Sequence, residues 1–183
     1  TTLSTLGTFP GGVKCICYPE LEKLTGELVI SSNPTLENAF FPKLLSVGSF
    51  FSIKVNAVLK TVSAGSLTSV GTYLYVHTNP LLETADLSSL TTVPTTLMFS
   101  NVPLLTFIGP PPLVSIGGLE ITNTALRAVD LSKVISGSVA RITISRNPAL
   151  VSIPDLRFVT SATSHVAVLS NPLVSMVDVS NLK

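Results

Sequence analysis

The sequence predicts an all-β fold, a parallel β-solenoid of about seven turns of about 23 residues each. Three observations lead there. Asparagine recurs at Asn33, Asn56, Asn79, Asn101, Asn123, Asn147 and Asn171, with successive gaps of 23, 23, 22, 22, 24 and 24 residues. Two apolar residues separated by one precede each asparagine, and this period-two alternation belongs to a strand with one buried face. No stretch sustains the 3–4 spacing of apolar residues over the ten or more positions that a helix requires.

The elements follow in chain order. Residues 1–25 form an N-terminal cap with a partial turn, and residues 26–183 carry the repeats as a single domain. The strand pairs are Leu28/Ile30, Phe51/Ile53, Leu74/Val76, Leu97/Phe99, Leu119/Ile121, Ile142/Ile144 and Val166/Val168. An apolar residue returns three positions after each asparagine, at Leu36, Leu59, Leu82, Leu104, Leu126, Leu150 and Val174. Further inward positions complete the first three turns: Ala39, Phe41, Leu44 and Val47, then Val62, Ala64, Leu67 and Val70, then Ala85, Leu87, Leu90 and Val93. Gly109-Pro110-Pro111-Pro112 adds one residue to the fourth turn and is expected to bulge from a corner, since consecutive prolines supply no ladder donors.

The asparagine column is expected to be a structural ladder. A sharp corner leaves backbone N–H and C=O groups away from water, and a carboxamide offers both a donor and an acceptor to meet them. Proline follows in Asn33-Pro34, Asn79-Pro80, Asn147-Pro148 and Asn171-Pro172, fixing the chain direction as it leaves the strand.

At 183 residues the chain is long enough for a sizeable core, and its charged fraction of 11% is far below the usual ~25%. About a quarter of the residues are Ser or Thr, so hydroxyls replace ions on the surface. A net charge of +1 provides no field for nucleic acid or anionic lipid. No apolar run reaches the ~20 residues of a membrane span, despite a mean hydropathy of +0.57. The one Asn-x-Thr triplet, Asn33-Pro34-Thr35, is blocked as an N-glycosylation site by its proline.

The pattern Leu-x-Ile-x-x-Asn-Pro-x-Leu, followed by Ala85-Asp86-Leu87-Ser88, Val129-Asp130-Leu131-Ser132 and Val177-Asp178-Val179-Ser180, resembles the receptor L-domain family. That family comprises leucine-rich-repeat-like ligand-binding lobes of growth-factor and insulin-type receptors and related cell-surface proteins of fungi and protists. The resemblance covers residues from about 26 to 183. It implies a right-handed solenoid on an extracellular or cell-surface protein, serving non-enzymatic binding or adhesion. Receptor L domains carry irregular turns and disulfide-linked ends, whereas these turns are nearly uniform and only two Cys are present.

Candidate chemistry is sparse. Cys15 and Cys17 could staple the N-terminal cap to itself or to an upstream segment, or remain free thiols; two ligands alone make no structural zinc site. His77 and His165 are the only histidines, and both sit at outward strand positions without a nucleophile motif. Asp86, Asp130 and Asp178 share one repeat position, but two turns separate the first pair, so turn capping is expected rather than paired-carboxylate hydrolysis. Glu37, Lys60 and Glu83 form an exposed column of alternating sign. Ser46, Ser69, Thr92, Ser115 and Ser136 form a hydroxyl column, which is too narrow for an ice-binding array. No catalytic residue, metal site or cofactor is expected.

One patch stands out as a recognition surface. Tyr73, Tyr75 and His77 alternate outward on the third turn, with Phe50 expected beside Tyr73 and Met98 beside Tyr75. Exposed aromatic and Met clusters are enriched at binding surfaces, while cross-strand packing that covers the sheet is the competing reading. The expected partner is a protein or glycan at the cell surface. The rival expectation is a structural subunit of a filament or surface assembly, associating head-to-tail. Val177, Val179 and Leu182 match a turn that stops early, so an open last rung meets a capped N-terminal end built from Cys15-Ile16-Cys17-Tyr18 and Leu21 to Leu24. A further segment beyond Lys183 would cover that rung equally well.

Overall fold

The computed structural model describes residues 1–7, 9, 12–106, 108, 113–129, 131, 133–135, 138–153 and 156–182. Its strands lie in three parallel sheets around one continuous apolar core, and no helix occurs among the described residues. The seven-stranded sheet stacks Leu28–Ser31, Phe51–Lys54, Leu74–His77, Leu97–Val102, Gly118–Thr124, Ser138–Ser145 and Ser161–Leu169. These strands define turns one to seven. A four-stranded sheet joins Cys15–Cys17, Asn38–Phe40, Thr61–Ser63 and Thr84–Asp86. The six-stranded sheet is built from two-residue strands, from Thr2–Leu3 to Ser115–Ile116.

Register follows the apolar pairs. Leu28, Phe51, Leu74, Leu97, Leu119, Ile142 and Val166 lie in one column, and Ile30, Ile53, Val76, Phe99, Ile121, Ile144 and Val168 in the next. All are buried except the two seventh-turn valines, which are partly covered. The N-terminal segment extends the coil rather than closing it with another architecture: Thr2–Leu3 pairs with Lys23–Leu24, and Leu6 bridges Leu28. At one corner, a Cβ on Gly48, Gly71 or Gly117 would collide with the carbonyl oxygen of Thr25, Gly48 or Pro94 one turn before, so these positions exclude a side chain.

The asparagine ladder is real but shorter than the sequence spacing indicates. Asn33, Asn56, Asn79, Asn147 and Asn171 are buried. The backbone N–H and Nδ2 of Asn33 both donate to Oδ1 of Asn56, at 3.1 and 3.0 Å. Asn56 repeats this toward Asn79, and Asn147 toward Asn171. Each Nδ2 from Asn56 onward also reaches a strand carbonyl of the preceding turn: Ile30, Ile53, Ile121 or Ile144.

Asn101 and Asn123 are not rungs. Strand pairing aligns Ser100 with His77 and Val102 with Thr124, which puts Val102 and Thr124 in the ladder column. The two asparagines sit one residue earlier, in a surface column with left-handed backbone: Ser32, Val55, Thr78, Asn101, Asn123, Arg146 and Ser170 all have φ between 53° and 58°. Asn tolerates this conformation better than other residues with a Cβ. The pair bond to each other, Asn123 Nδ2 donating to Asn101 Oδ1 at 3.2 Å. The same one-residue offset corrects Leu104, which is 44% exposed, while Leu105 occupies the buried position. The expected bulge at 109–112, together with Asp130, Ser132, Ser136 and Lys183, lies outside the described residues.

Candidate binding face

The outward side of the seven-stranded sheet is built of side-chain columns set by the pairing of successive strands. Phe50 and Tyr73 stand in one column, while Ser52, Tyr75, Met98 and Glu120 stand in a second. Lys54, His77 and Ser100 form a third. The five residues expected to form a patch are therefore neighbours. Phe50 stacks on Tyr73 with centroids 4.7 Å apart and planes at 13°, and Tyr73 stacks on Tyr75 at 4.1 Å and 28°. Met98 pairs directly across from Tyr75. All five are partly exposed, and Ser52 is buried in the column between Val29 and Tyr75.

The electrostatics follow from this packing. Burial among the rings pushes the Tyr73 hydroxyl above its ordinary range, with Tyr75 and Glu27 adding to the effect. His77 is held below its ordinary value, first by burial and then by Lys54, with Glu120 opposing. Its Nδ1 lies 3.2 Å from the Thr78 hydroxyl. Lys54 beside His77 and Glu120 beside Met98 put one charge of each sign at the margins of the strip.

Beyond the rings the face turns polar. Gly118 has no side chain, and Arg141, its partner across the ladder, reaches diagonally to Glu120 at 3.4 Å. The imidazole of His165 lies 3.0 Å from the hydroxyls of both Thr143 and Ser164. Outward alternation along the fifth and sixth strands was the available signal for Glu120 and Arg141.

Other candidates resolve locally. Cys15 and Cys17 face outward on either side of the buried Ile16 and are joined as a disulfide. Oδ1 of Asp86 accepts the N–H of Ser88 at 3.1 Å, and Oδ1 of Asp178 that of Ser180 at 2.9 Å, which is turn capping in both. No group of three His, Cys, Asp or Glu side chains among the described residues could hold a metal ion. The hydroxyls of Ser46, Ser69, Thr92 and Ser115 do share a column on the six-stranded sheet. Neither a protein-family description, nor a curated protein, nor a solved structure matches the chain.

Proposed function

We propose that this chain is a non-enzymatic extracellular binding or adhesion module of receptor L-domain type, with the strip Phe50–Tyr73–Tyr75, flanked by Met98 and His77, as its contact surface. The observation that carries this reading is the continuous ring stack on the outward face of the seven-stranded sheet. A rigid aromatic strip of this kind presents a large contact area that loses little conformational freedom on binding. Stacking of Tyr73 on both neighbours uses ring faces that a sugar would need, which favours a protein partner over a glycan. The Cys15–Cys17 disulfide and the hydroxyl-rich surface support an oxidising, extracellular setting.

The test is a binding screen of the purified chain against cell-surface ectodomains and glycans, repeated with the Tyr73→Ala/Tyr75→Ala double variant. The expected result is a protein hit lost in a variant whose circular dichroism and melting stay close to wild type. An unfolded variant would assign the rings to packing, and undiminished binding would move recognition to another side of the coil.

A structural subunit of a surface or filament assembly is the second reading. Among the described residues, strand Ser161–Leu169 pairs on one side only, and Leu169, Leu173 and Met176 expose apolar surface around it. In this reading that nine-residue strand is the template for strand addition by the N-terminal turn of another copy. Light scattering that grows with concentration without reaching a plateau would favour this reading.

A further inference from the structure

We propose that the flank bearing Lys14, Glu37, Lys60 and Glu83 is a two-fold interface between two copies of this chain. The four residues occupy the same corner position on successive turns. The N–H of Glu37 bonds the carbonyl of Lys14 at 2.8 Å, that of Lys60 bonds Glu37 at 2.9 Å, and that of Glu83 bonds Lys60 at 3.0 Å. Thr106 continues the column without charge. The neighbouring column on the four-stranded sheet, Asn38, Thr61 and Thr84, is neutral. In a chain so poor in charge, four ions isolated in one line dominate the local field.

The order of signs is plus, minus, plus, minus. Read backwards it is the complement of itself. A second copy turned by 180° about an axis between Glu37 and Lys60 therefore sets Lys14 against the partner subunit's Glu83 and Glu37 against the partner subunit's Lys60. Symmetry repeats both pairs, giving four attractive contacts. A parallel copy in the same register would oppose like charges. Slipping it by one turn gives three attractive pairs and an arrangement that does not close.

Within the chain this charge is incompletely used. Lys14 approaches Glu37 at 3.3 Å, while Lys60 and Glu83 make no ion pair among the described residues. Exposed pairs contribute little affinity, so their role is to set orientation and register. Affinity comes from the groove alongside, about 400 Å³ and lined by Pro34, Thr35, Val58 and Leu81 between the charges. Leu81, which lines the groove, is exposed. The contact uses the flank and leaves the aromatic face free.

Sedimentation velocity over a wide concentration range is expected to show a monomer–dimer equilibrium that stops at two copies and weakens with salt. Lys60→Glu alone and Glu37→Lys alone should each raise the dimer dissociation constant by about tenfold or more, because each creates two like-charge contacts. Mixing these two variants should restore association as a heterodimer. The double variant Glu37→Lys/Lys60→Glu should dimerise like wild type, whereas a slipped parallel arrangement would lose two of its three pairs. All four side chains are at the surface, so the variants fold, and circular dichroism checks this. The proposal is overturned by a monomer at every concentration and salt, by open-ended growth indifferent to Lys60→Glu, or by a double variant that fails to associate.

Discussion

Turns one to three and turns four to five solve the same corner differently. In the first group, Asn33, Asn56 and Asn79 turn inward and chain their amides together. In the second, Val102 and Thr124 fill the inward position, and Asn101 and Asn123 lie outside on the left-handed residue before it. Thr124 keeps part of the chemistry. Its N–H and hydroxyl donate to Oδ1 of Asn147 at 3.0 and 2.8 Å, and its oxygen accepts the N–H of Leu126 at 3.3 Å. Val102 has no polar side-chain atom, so the carboxamide bonds are missing at that corner, while its carbonyl still accepts the N–H of Leu105 at 3.0 Å. One residue type thus serves two neighbouring columns, for hydrogen bonding in one and backbone conformation in the other. A solenoid tolerates a missing rung because turns above and below hold the register through their own sheets.

The sharpest way to break this contrast is to remove a carboxamide from each group. Asn56→Ala takes away the acceptor of two Asn33 donors and the donor to two carbonyls, all in a buried corner. It should cost about 3 kcal/mol in urea unfolding, against less than about 1 kcal/mol for Asn101→Ala. Equal losses would mean that the two columns do not differ.

Restoring the missing rung sharpens the comparison. Val102→Asn places a carboxamide where Asn79 can donate to it, as Asn56 donates to Asn79. Its stability should stay within about 1 kcal/mol of wild type, while Val93→Asn, equally buried but outside the column, should lose about 3 kcal/mol. Similar large losses in both would show that the fourth turn cannot host a rung.

The smallest effect concerns the left-handed column itself. Val55 is β-branched at φ 56°, a strained combination, and its side chain is 48% exposed. Val55→Asn should raise stability by about 0.5–1 kcal/mol, read as a higher melting temperature. A lower melting temperature would show that the Val55 side chain contributes packing that outweighs the strain.

Much of the candidate face was legible in the residues. Strict alternation on Tyr73, Tyr75 and His77 required those side chains to share one face, and the repeat length required Phe50 and Met98 to lie beside them. The Phe50–Tyr73 stack and the depressed His77 depend on neighbours from other turns, which no local pattern encodes. The diagonal reach of Arg141 over Gly118 to Glu120 is likewise a relation between three strands.

The ladder shows where the boundary lies. Two signals in the sequence already separated the columns: the asparagine follows the second strand residue by three positions at Ile30/Asn33 but by two at Phe99/Asn101, and proline follows Val102 as it follows Asn33 and Asn79. Counting asparagines alone merged them. By itself the sequence determined the all-β coil, its repeat length and which strand residues face inward, because period-two burial and a repeated turn are local constraints on every copy. Tertiary structure alone decided which asparagines donate to one another, since a carboxamide finds its partner only when the next turn is stacked on it. It also decided that Lys14 joins the charge column, because that register is set between turns rather than along the chain.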